Sequence, residues 1–443
     1  MRAQLLGVFI GVGVGVAVAA ATALPARPGD DASAGLDPVA PPGRPYLFTP
    51  ADWSYIWGAS PEDPAAPDGL LYAHTRREVD AWNPAPDPFI IQKEAGDRDL
   101  WLRIRVPHNP EGWKDAAIHF SNFGGLMVLY YNDRRIYARG NMETRKDDYL
   151  ALHHTLYRLG AIEPAGAGQG PGDAGHVPAG AGQGHNYFVM HYLSNAAVEI
   201  EVNLSEGGVW FGERFDLLIQ MLRKDIALLI LGVLFLIAGL VALSAYLRRR
   251  TGDARLYAGF SLFAISSGVT TFITTDLMQL LWPQPQIFWD WTGMLSFILL
   301  PVGILLFYEQ VFGSGWRNIV RRLWQYHLVL GGAMTLTVLL LYQQIDVLIT
   351  SLIVTITVLI LVFWTSVALV LLLLVALTFR RALRGSLQAW LFFAGTLVLT
   401  LAAVPDFIQG FSGDGGPESD SYYHWGRLPF MVLLSYVADQ HFA

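Results

Sequence analysis

The sequence predicts a mixed multi-domain protein in which an all-β antiparallel sandwich precedes an α-helical seven-transmembrane bundle. Three observations support this. Apolar residues make up 53% of the chain against 15% charged residues, which is too apolar for an ordinary soluble protein. Up to about residue 224 the apolar residues alternate with polar ones, as in half-buried strands. Beyond that point they form runs of membrane length.

The N-terminus is predicted to be a secretion signal over residues 1–23. Arg2 precedes an apolar stretch, and Ala21-Thr22-Ala23 has the small-x-small pattern that signal peptidase accepts. The alternative is an uncleaved anchor helix, but a run of about 16 apolar residues rich in Gly and Ala is short for a stable span. Residues 24–45 follow as a Pro/Gly-rich linker.

Residues 46–224 are predicted to form the extracellular β-sandwich. The segment LWLRIRV at 100–106 alternates aliphatic residues with Trp101, Arg103 and Arg105, which predicts a half-buried strand. The other strand candidates are LMVLYYNDRRIYARG at 126–140, a strand pair joined at Asn132-Asp133, NYFVMHYL at 186–193 and VEIEVNL at 198–204. Several short strands broken by Gly and Pro favour an antiparallel sandwich.

One segment of this domain departs from the strand pattern. PAGAGQG occurs at 164–170 and again at 178–184, and so much Gly and Ala predicts a flexible insertion over residues 160–186. His176, His185 and His191 lie in or near it. Their spacing matches no defensible ligand pattern and a flexible loop preorganises ligands poorly, so we predict no metal site and no cofactor.

Seven apolar runs after Lys224 predict a seven-transmembrane domain over residues 225–443. The arginines of the connecting loops test this count. Ten of them lie in the loops after the first, third and fifth runs, whereas the other loops hold only Arg427. By the positive-inside rule those three loops are cytoplasmic and the sandwich lies outside the membrane. The predicted spans are 226–247, 256–278, 291–308, 323–342, 347–377, 387–408 and 428 to the end of the chain.

Several functions are excluded or disfavoured. The net charge of −7 argues against nucleic acid as a partner. No lysine lies within a predicted span, which excludes a retinal protein, and no nucleotide-binding or kinase motif occurs. Asp276, Glu309 and Asp406 are ionisable groups near span ends, for which a structural role is the preferred interpretation.

The whole organisation resembles bacterial seven-transmembrane receptors with diverse intracellular signalling modules. The resemblance rests on WLRIRV in the outer domain, MLRKDIALLILGVLFLIAGLVAL at the first span, LRRRTGDARLYAGFSLF at the first inner loop and LLPVGILLFYEQVFG in the third span. It implies an outer jelly-roll sandwich, similar to carbohydrate-binding modules, in a bacterial inner membrane. It also implies a cytoplasmic output module of cyclase, kinase or phosphatase type, for which this chain has no sequence.

We therefore expect a membrane receptor and not an enzyme. Its expected partners are the lipid bilayer, an extracytoplasmic small molecule or glycan, and the output module, with a homodimer left open. Trp101, Arg103 and Arg105 are the candidate ligand-binding residues, because an indole beside guanidinium donors suits a sugar ring. The competing and preferred interpretation of that face is a solvated sheet face covered by a loop.

The last span lacks a charged anchor, which predicts that its helix continues into an output domain. The alternative is a stand-alone receptor that signals through a separate cytoplasmic protein. A constitutive scaffold and a transporter are the rival functions.

Overall fold

The computed structural model describes residues 44–73, 82–86, 90–91, 99–107, 112–121, 126–131, 134–139, 154–162, 187–193, 202–203, 209–248, 254–284, 286–342, 349–412 and 422–442. The predicted signal peptide and most of the predicted linker lie outside the described residues. So do both PAGAGQG repeats of the predicted insertion.

The N-terminal half of the described chain is built from antiparallel strands. The strands are β1 (Tyr46–Leu47), β2 (Trp53–Trp57), β3 (Asn83–Pro84), β4 (Ile90–Ile91), β5 (Asp99–Arg105), β6 (Trp113–Ser121), β7 (Leu126–Tyr131), β8 (Arg134–Arg139), β9 (His154–Ile162), β10 (Tyr187–Leu193), β11 (Val202–Asn203) and β12 (Val209–Glu213). The strands predicted at 100–106, 126–140 and 186–193 are confirmed. Strand β9 extends to Ile162, so the start of the segment predicted as a loop from residue 160 is strand.

These strands form two packed sheets, which confirms the antiparallel sandwich. The bundle-facing sheet has the order β1-β12-β6-β9, and the distal sheet has the order β3-β2-β5-β10-β7-β8. Strands β4 and β11 pair separately. The jelly-roll connection stays a prediction.

The sandwich core lies between the two sheets and follows the alternation of the sequence. Leu100, Leu102 and Ile104 of β5 are fully buried there with Ile118 of β6. The opposite face of β5 is buried as well, since only the two end residues of the strand, Asp99 and Arg105, are partly exposed. The prediction that this strand is half-buried is therefore wrong, because a further layer of chain covers the distal sheet.

The C-terminal half is helical. Its helices are α1 (Arg214–Arg248), α2 (Arg255–Ile273), α3 (Asp276–Leu281), α4 (Gln286–Phe312), α5 (Ile319–Tyr342), α6 (Ile349–Ala382), α7 (Leu387–Ser412) and α8 (Tyr422–Phe442). Helix α1 begins directly after β12, inside the segment assigned from sequence to the sandwich. The run predicted at 256–278 is two helices, α2 and α3, separated at Thr274 and Thr275.

The helices pack mainly against their neighbours in sequence, and α2 occupies the centre because it contacts α1, α4 and α8. Glycines allow this close packing. A Cβ added to Gly259 of α2 would lie 2.6 Å from the backbone nitrogen of Phe307 on α4, and one added to Gly303 of α4 would lie 2.6 Å from the nitrogen of Phe263. Such small residues let helix backbones approach each other within a membrane.

Five of the described helical segments are long and apolar enough to cross a membrane: Arg214–Arg248, Arg255–Ile273, Ile287–Phe312, Val358–Ala382 and Leu387–Pro405. By length and composition the chain is a multi-pass membrane protein. Helices α5 and α8 are not among the five, and each has polar residues in its first half, such as Arg321 and Arg427. The count of seven spans stays a prediction.

Candidate functional site

The three predicted ligand-binding residues lie on β5, in the middle of the distal sheet. The strand pairs with β2 on one side and β10 on the other. Trp101, Arg103 and Arg105 point away from the sandwich core, as the alternation predicts. The structure therefore brings these side chains to one face, but that face is covered.

Trp101 is packed among aromatic rings. Its side chain is 1% exposed, and its ring stacks on the imidazole of His191 with centroids 3.9 Å apart and planes 6° from parallel. Tyr72 meets the indole edge-on at 5.8 Å. His191 is itself held by Asp99, whose Oδ1 lies 2.9 Å from Nε2. The imidazole occupies the indole face that a sugar ring would need, so this geometry supports a structural role for the ring.

One polar atom of Trp101 has no hydrogen-bond partner in the part of the chain that the structure describes. Its Nε1 is buried and finds no acceptor among the described residues. A buried donor left without an acceptor costs about 1–3 kcal/mol. An acceptor brought by a ligand, or by water, would remove that cost.

Arg103 is also buried, with 6% of its surface exposed. Its guanidinium carbon lies 3.5 Å from the ring centroid of Tyr187 and 5.7 Å from that of Trp82. Cation–π contacts of this kind are stronger when they are removed from water. Arg105 is partly exposed at the end of the strand. The predicted cluster is therefore an aromatic and guanidinium layer beneath a cover.

The cover is the segment 58–73, a compact turn held by its own hydrogen bonds. The nitrogen of Asp63 donates to Gly69 O, that of Leu71 to Pro61 O, and that of Tyr72 to Ser60 Oγ, each at 2.9 Å.

A polar contact joins the cover to the distal sheet. Tyr130 Oη donates to Asp68 Oδ2 at 2.9 Å, and Arg135 lies 3.6 Å from the same oxygen. Burial and this contact raise the pKa of Tyr130. Asp68 has left-handed backbone, with φ 53°, which is uncommon for a residue other than Gly.

The other side of the sandwich rests on the helices. Strands β6 and β12 contact α1, and β9 contacts α3. His119 of β6 is 3% exposed at this boundary. Burial lowers its pKa to about 4; the field of Asp276 opposes that shift and the field of Lys224 adds to it. The imidazole is therefore neutral at neutral pH.

Helices α1 and α3 are joined by two consecutive residues of α1. Asp225 is 1% exposed and its Oδ2 accepts the backbone N–H of Leu277 at 2.8 Å. Lys224 Nζ lies 3.1 Å from Asp276 Oδ2. These contacts hold the N-terminus of α3, where a carboxylate is favourable, against α1.

Two further buried polar groups link helices of the bundle. Arg427 of α8 is 1% exposed and its Nη1 donates to Ser267 O of α2 at 3.3 Å. Glu309 of α4 accepts from Arg321 Nε at 2.8 Å and from Trp324 Nε1 at 2.9 Å, both on α5. The predicted structural role of Glu309 fits this contact.

Sequence reasoning missed Arg427 because it counted that residue as a loop charge. The available signal was a pair of polar residues one turn apart on α2, Ser267 and Thr271, which could have indicated a polar contact with another helix. In the structure Thr271 Oγ1 lies 3.3 Å from Nδ1 of His424, three residues before Arg427 on α8. For Asp406 the structure describes the helical backbone only, so no side-chain contact is assigned to it.

Among the described residues, no group of three or more His, Cys, Asp or Glu side chains is arranged to hold a metal ion. Comparison of the sequence with models of known protein families and with curated proteins finds no match.

Proposed function

We propose that the protein is a membrane receptor whose outer sandwich binds an extracytoplasmic ligand and whose helical bundle relays that binding across the membrane. The observation that best supports this proposal is the direct connection between the sandwich and the helical bundle. Strand β12 ends at Glu213 and helix α1 begins at Arg214, with no linker. Glu213 also accepts the backbone N–H groups of Lys114 and Asp115 on β6, at 2.6 and 3.0 Å. A displacement of the bundle-facing sheet must then move α1.

The bundle is proposed to have seven spans, with the sandwich periplasmic and the end of α8 cytoplasmic. In support, α5 and α8 pack into the same bundle as the five candidate spans, and α8 contacts the central helix α2. The alternating arginine loops support the orientation. This organisation, with a jelly-roll outer domain, is what the resemblance to seven-transmembrane receptors implies.

The proposed ligand is a small molecule or glycan that binds at the distal sheet. Arg103 and the indole Nε1 of Trp101, which finds no acceptor among the described residues, support this choice, whereas the indole face stays stacked on His191. Because the aromatic and guanidinium layer is covered, binding requires the cover at 58–73 to move. The cover keeps its internal hydrogen bonds if it moves as one unit, so the contacts that must break are those between the cover and the sheet.

The relay is proposed to reach α8 through the centre of the bundle. Asp225 connects α1 to α3, and Arg427 connects α2 to α8. A cyclase, kinase or phosphatase module would receive the signal at the cytoplasmic end of α8, and the chain itself is proposed to have no turnover. A ligand moves such an equilibrium only by its different affinity for the two states.

The test uses the full chain in lipid nanodiscs. The sequence contains no cysteine, so Cys introduced at exposed Arg248 and Asp439 gives a spin-label pair without background. A glycan and small-molecule panel is first screened for saturable binding. We expect a bound compound to change the distance distribution between the labels. Saturable binding without any change would favour a constitutive scaffold, and flux of the compound into proteoliposomes would favour a transporter.

A further inference from the structure

A cavity lies between helices α1, α2 and α4, all three of which are among the candidate membrane spans. Its volume is about 440 Å³, within the range of roughly 300–1,000 Å³ that is usual for small-molecule sites. Its walls are mostly aliphatic, and it opens beside Tyr246 and Leu295, which are 38% and 47% exposed. Along α2 it extends from Ala258 to Val269, about 16 Å at roughly 1.5 Å per residue.

Three serines of the cavity wall give it a polar character. Ser261 and Ser266 of α2 and Ser296 of α4 are 2%, 3% and 7% exposed. No hydrogen bond from their hydroxyls is found among the described residues. By contrast, Thr270 and Thr271 of α2 donate to carbonyl oxygens one turn earlier. The serines thus offer buried hydrogen-bonding groups to whatever occupies the cavity.

The position of the cavity limits its occupant. With α1, α2 and α4 as membrane spans, the cavity lies within the spanning segments and molecules reach it from the lipid. One end lies next to Tyr246 and Ala258, within one helical turn of the exposed Arg248 and Arg255. An anionic headgroup is complementary to these two charges, and its apolar chain would continue along the aliphatic wall.

We propose that this cavity is a lateral binding site for an anionic single-chain amphiphile that carries a hydroxyl or carbonyl group part-way along its chain. The chain fills the aliphatic wall, the headgroup lies by the two arginines, and the mid-chain oxygen bonds to the serines. This site differs from the proposed outer site, because its ligand comes from the bilayer. It depends only on α1, α2 and α4 spanning the membrane.

The experiment uses the full chain in nanodiscs and a photoreactive, diazirine-bearing hydroxystearic acid as the probe. Labelled residues are mapped by mass spectrometry, and unlabelled hydroxystearic and stearic acids compete with the probe. We expect labelling of α2 and α4 at the cavity, with hydroxystearic acid competing roughly three- to tenfold better, as one or two net hydrogen bonds would give.

Two variants separate the hydroxyl contacts from the chain contacts. Ser261→Ala combined with Ser266→Ala and Ser296→Ala should abolish the preference for the hydroxylated acid while chain binding persists. Ser296→Leu should fill the cavity and remove labelling there. The matched control is Ser435→Ala, which changes an exposed serine of α8 that lies outside the cavity. Size-exclusion profiles and helical content verify that each variant is folded.

Equal competition by the two acids in the wild-type protein would show ordinary annular lipid and overturn the proposal. The same holds if the preference survives the triple serine variant, or if the probe labels the bundle without selecting the cavity. Two copies of the chain that cross-link through α1 and α4 in the absence of the probe would show that a second copy covers the cavity. That result would overturn the proposal as well.

Discussion

The carboxylate of Asp225 on α1 accepts a hydrogen bond from the backbone N–H of Leu277 on α3, at 2.8 Å. Both partners are buried, Asp225 to 1% and Leu277 to 7% exposure. The contact fixes a helix of six residues, α3, against the end of α1 nearest the sandwich. Since β9 rests on α3, this hydrogen bond is part of the seam between sandwich and bundle.

Removing that carboxylate should therefore loosen the seam. We expect Asp225→Ala to destabilise the protein by about 1–3 kcal/mol, because the N–H of Leu277 loses its acceptor. Thermal unfolding in detergent and hydrogen exchange at the Leu277 amide measure the effect. Asp439→Ala, at an exposed site on α8, is the control and should change neither. Unaltered exchange at Leu277 would contradict the assigned contact.

The pH dependence of the seam follows from His119. Its pKa in the folded protein is about 4, below the ordinary 6.5, so between these values the unfolded chain binds more protons than the folded one. Stability should therefore rise with pH across that window and be fully present above it, by at most about 3 kcal/mol from this group. Unfolding measured across the window should show a smaller slope for His119→Gln. An identical slope in both proteins would contradict the burial of a neutral imidazole.

The close approach of α2 and α4 predicts a strong effect of a single methyl group. In Gly259→Ala the new Cβ meets the Phe307 backbone nitrogen at 2.6 Å, and backbone cannot rotate away as a side chain can. We expect a loss of about 1–3 kcal/mol from overpacking, read as a lowered unfolding temperature. Gly332→Ala on α5 is the matched control, since nothing lies within 4 Å of its added Cβ. Equal unfolding temperatures for the two variants would rule out the close approach of α2 and α4.

Substitutions at Trp101 separate packing from recognition. Trp101→Ala should destabilise the sandwich by about 3–5 kcal/mol, because a large buried ring is lost. Trp101→Phe keeps much of the ring packing and removes an N–H that has no acceptor among the described residues, so its stability should stay closer to the wild type. Unfolding and glycan-panel binding are measured on the full chain. If Trp101→Phe binds a panel ligand as tightly as the wild type does, the indole N–H takes no part in recognition.

The arginine pattern predicts the topology. Reporters fused after Arg250, Arg317 and Arg384 should be cytoplasmic, and those at Gln284, Gln344 and Gly415 periplasmic. Paired phosphatase and fluorescent reporters at each position measure this. A periplasmic signal at Arg317 would contradict the seven-span arrangement, and with it the placement of α8.

Local patterns allowed the long helices and the strands β5, β7, β8 and β10 to be predicted, whereas β2, β6, β9 and β12 were not predicted. The alternation in LWLRIRV and the apolar runs after residue 224 each reflect one element and its nearest neighbours. The predictions that failed concern residues that are buried by packing between segments far apart in the sequence. Trp101 is buried because the segment 58–73 lies over it, and Arg427 is buried because α2 and α8 meet. The pattern of residues around Trp101 or Arg427 gives no indication of a contact with a segment far away in the sequence. Helix α1 begins before its apolar run because its first turns pack on the sandwich.

The absence of a linker at Glu213 and Arg214 has a mechanical consequence. Helix α1 has 35 residues and is about 52 Å long at roughly 1.5 Å per residue, well beyond the roughly 30 Å of a hydrocarbon core. An α-helix is stiff in torsion because each turn is hydrogen bonded to the next. In the proposed relay, a rotation of the sheet at Glu213 would pass directly into α1 and would reach its far end at Arg248, because no linker residues separate the strand from the helix.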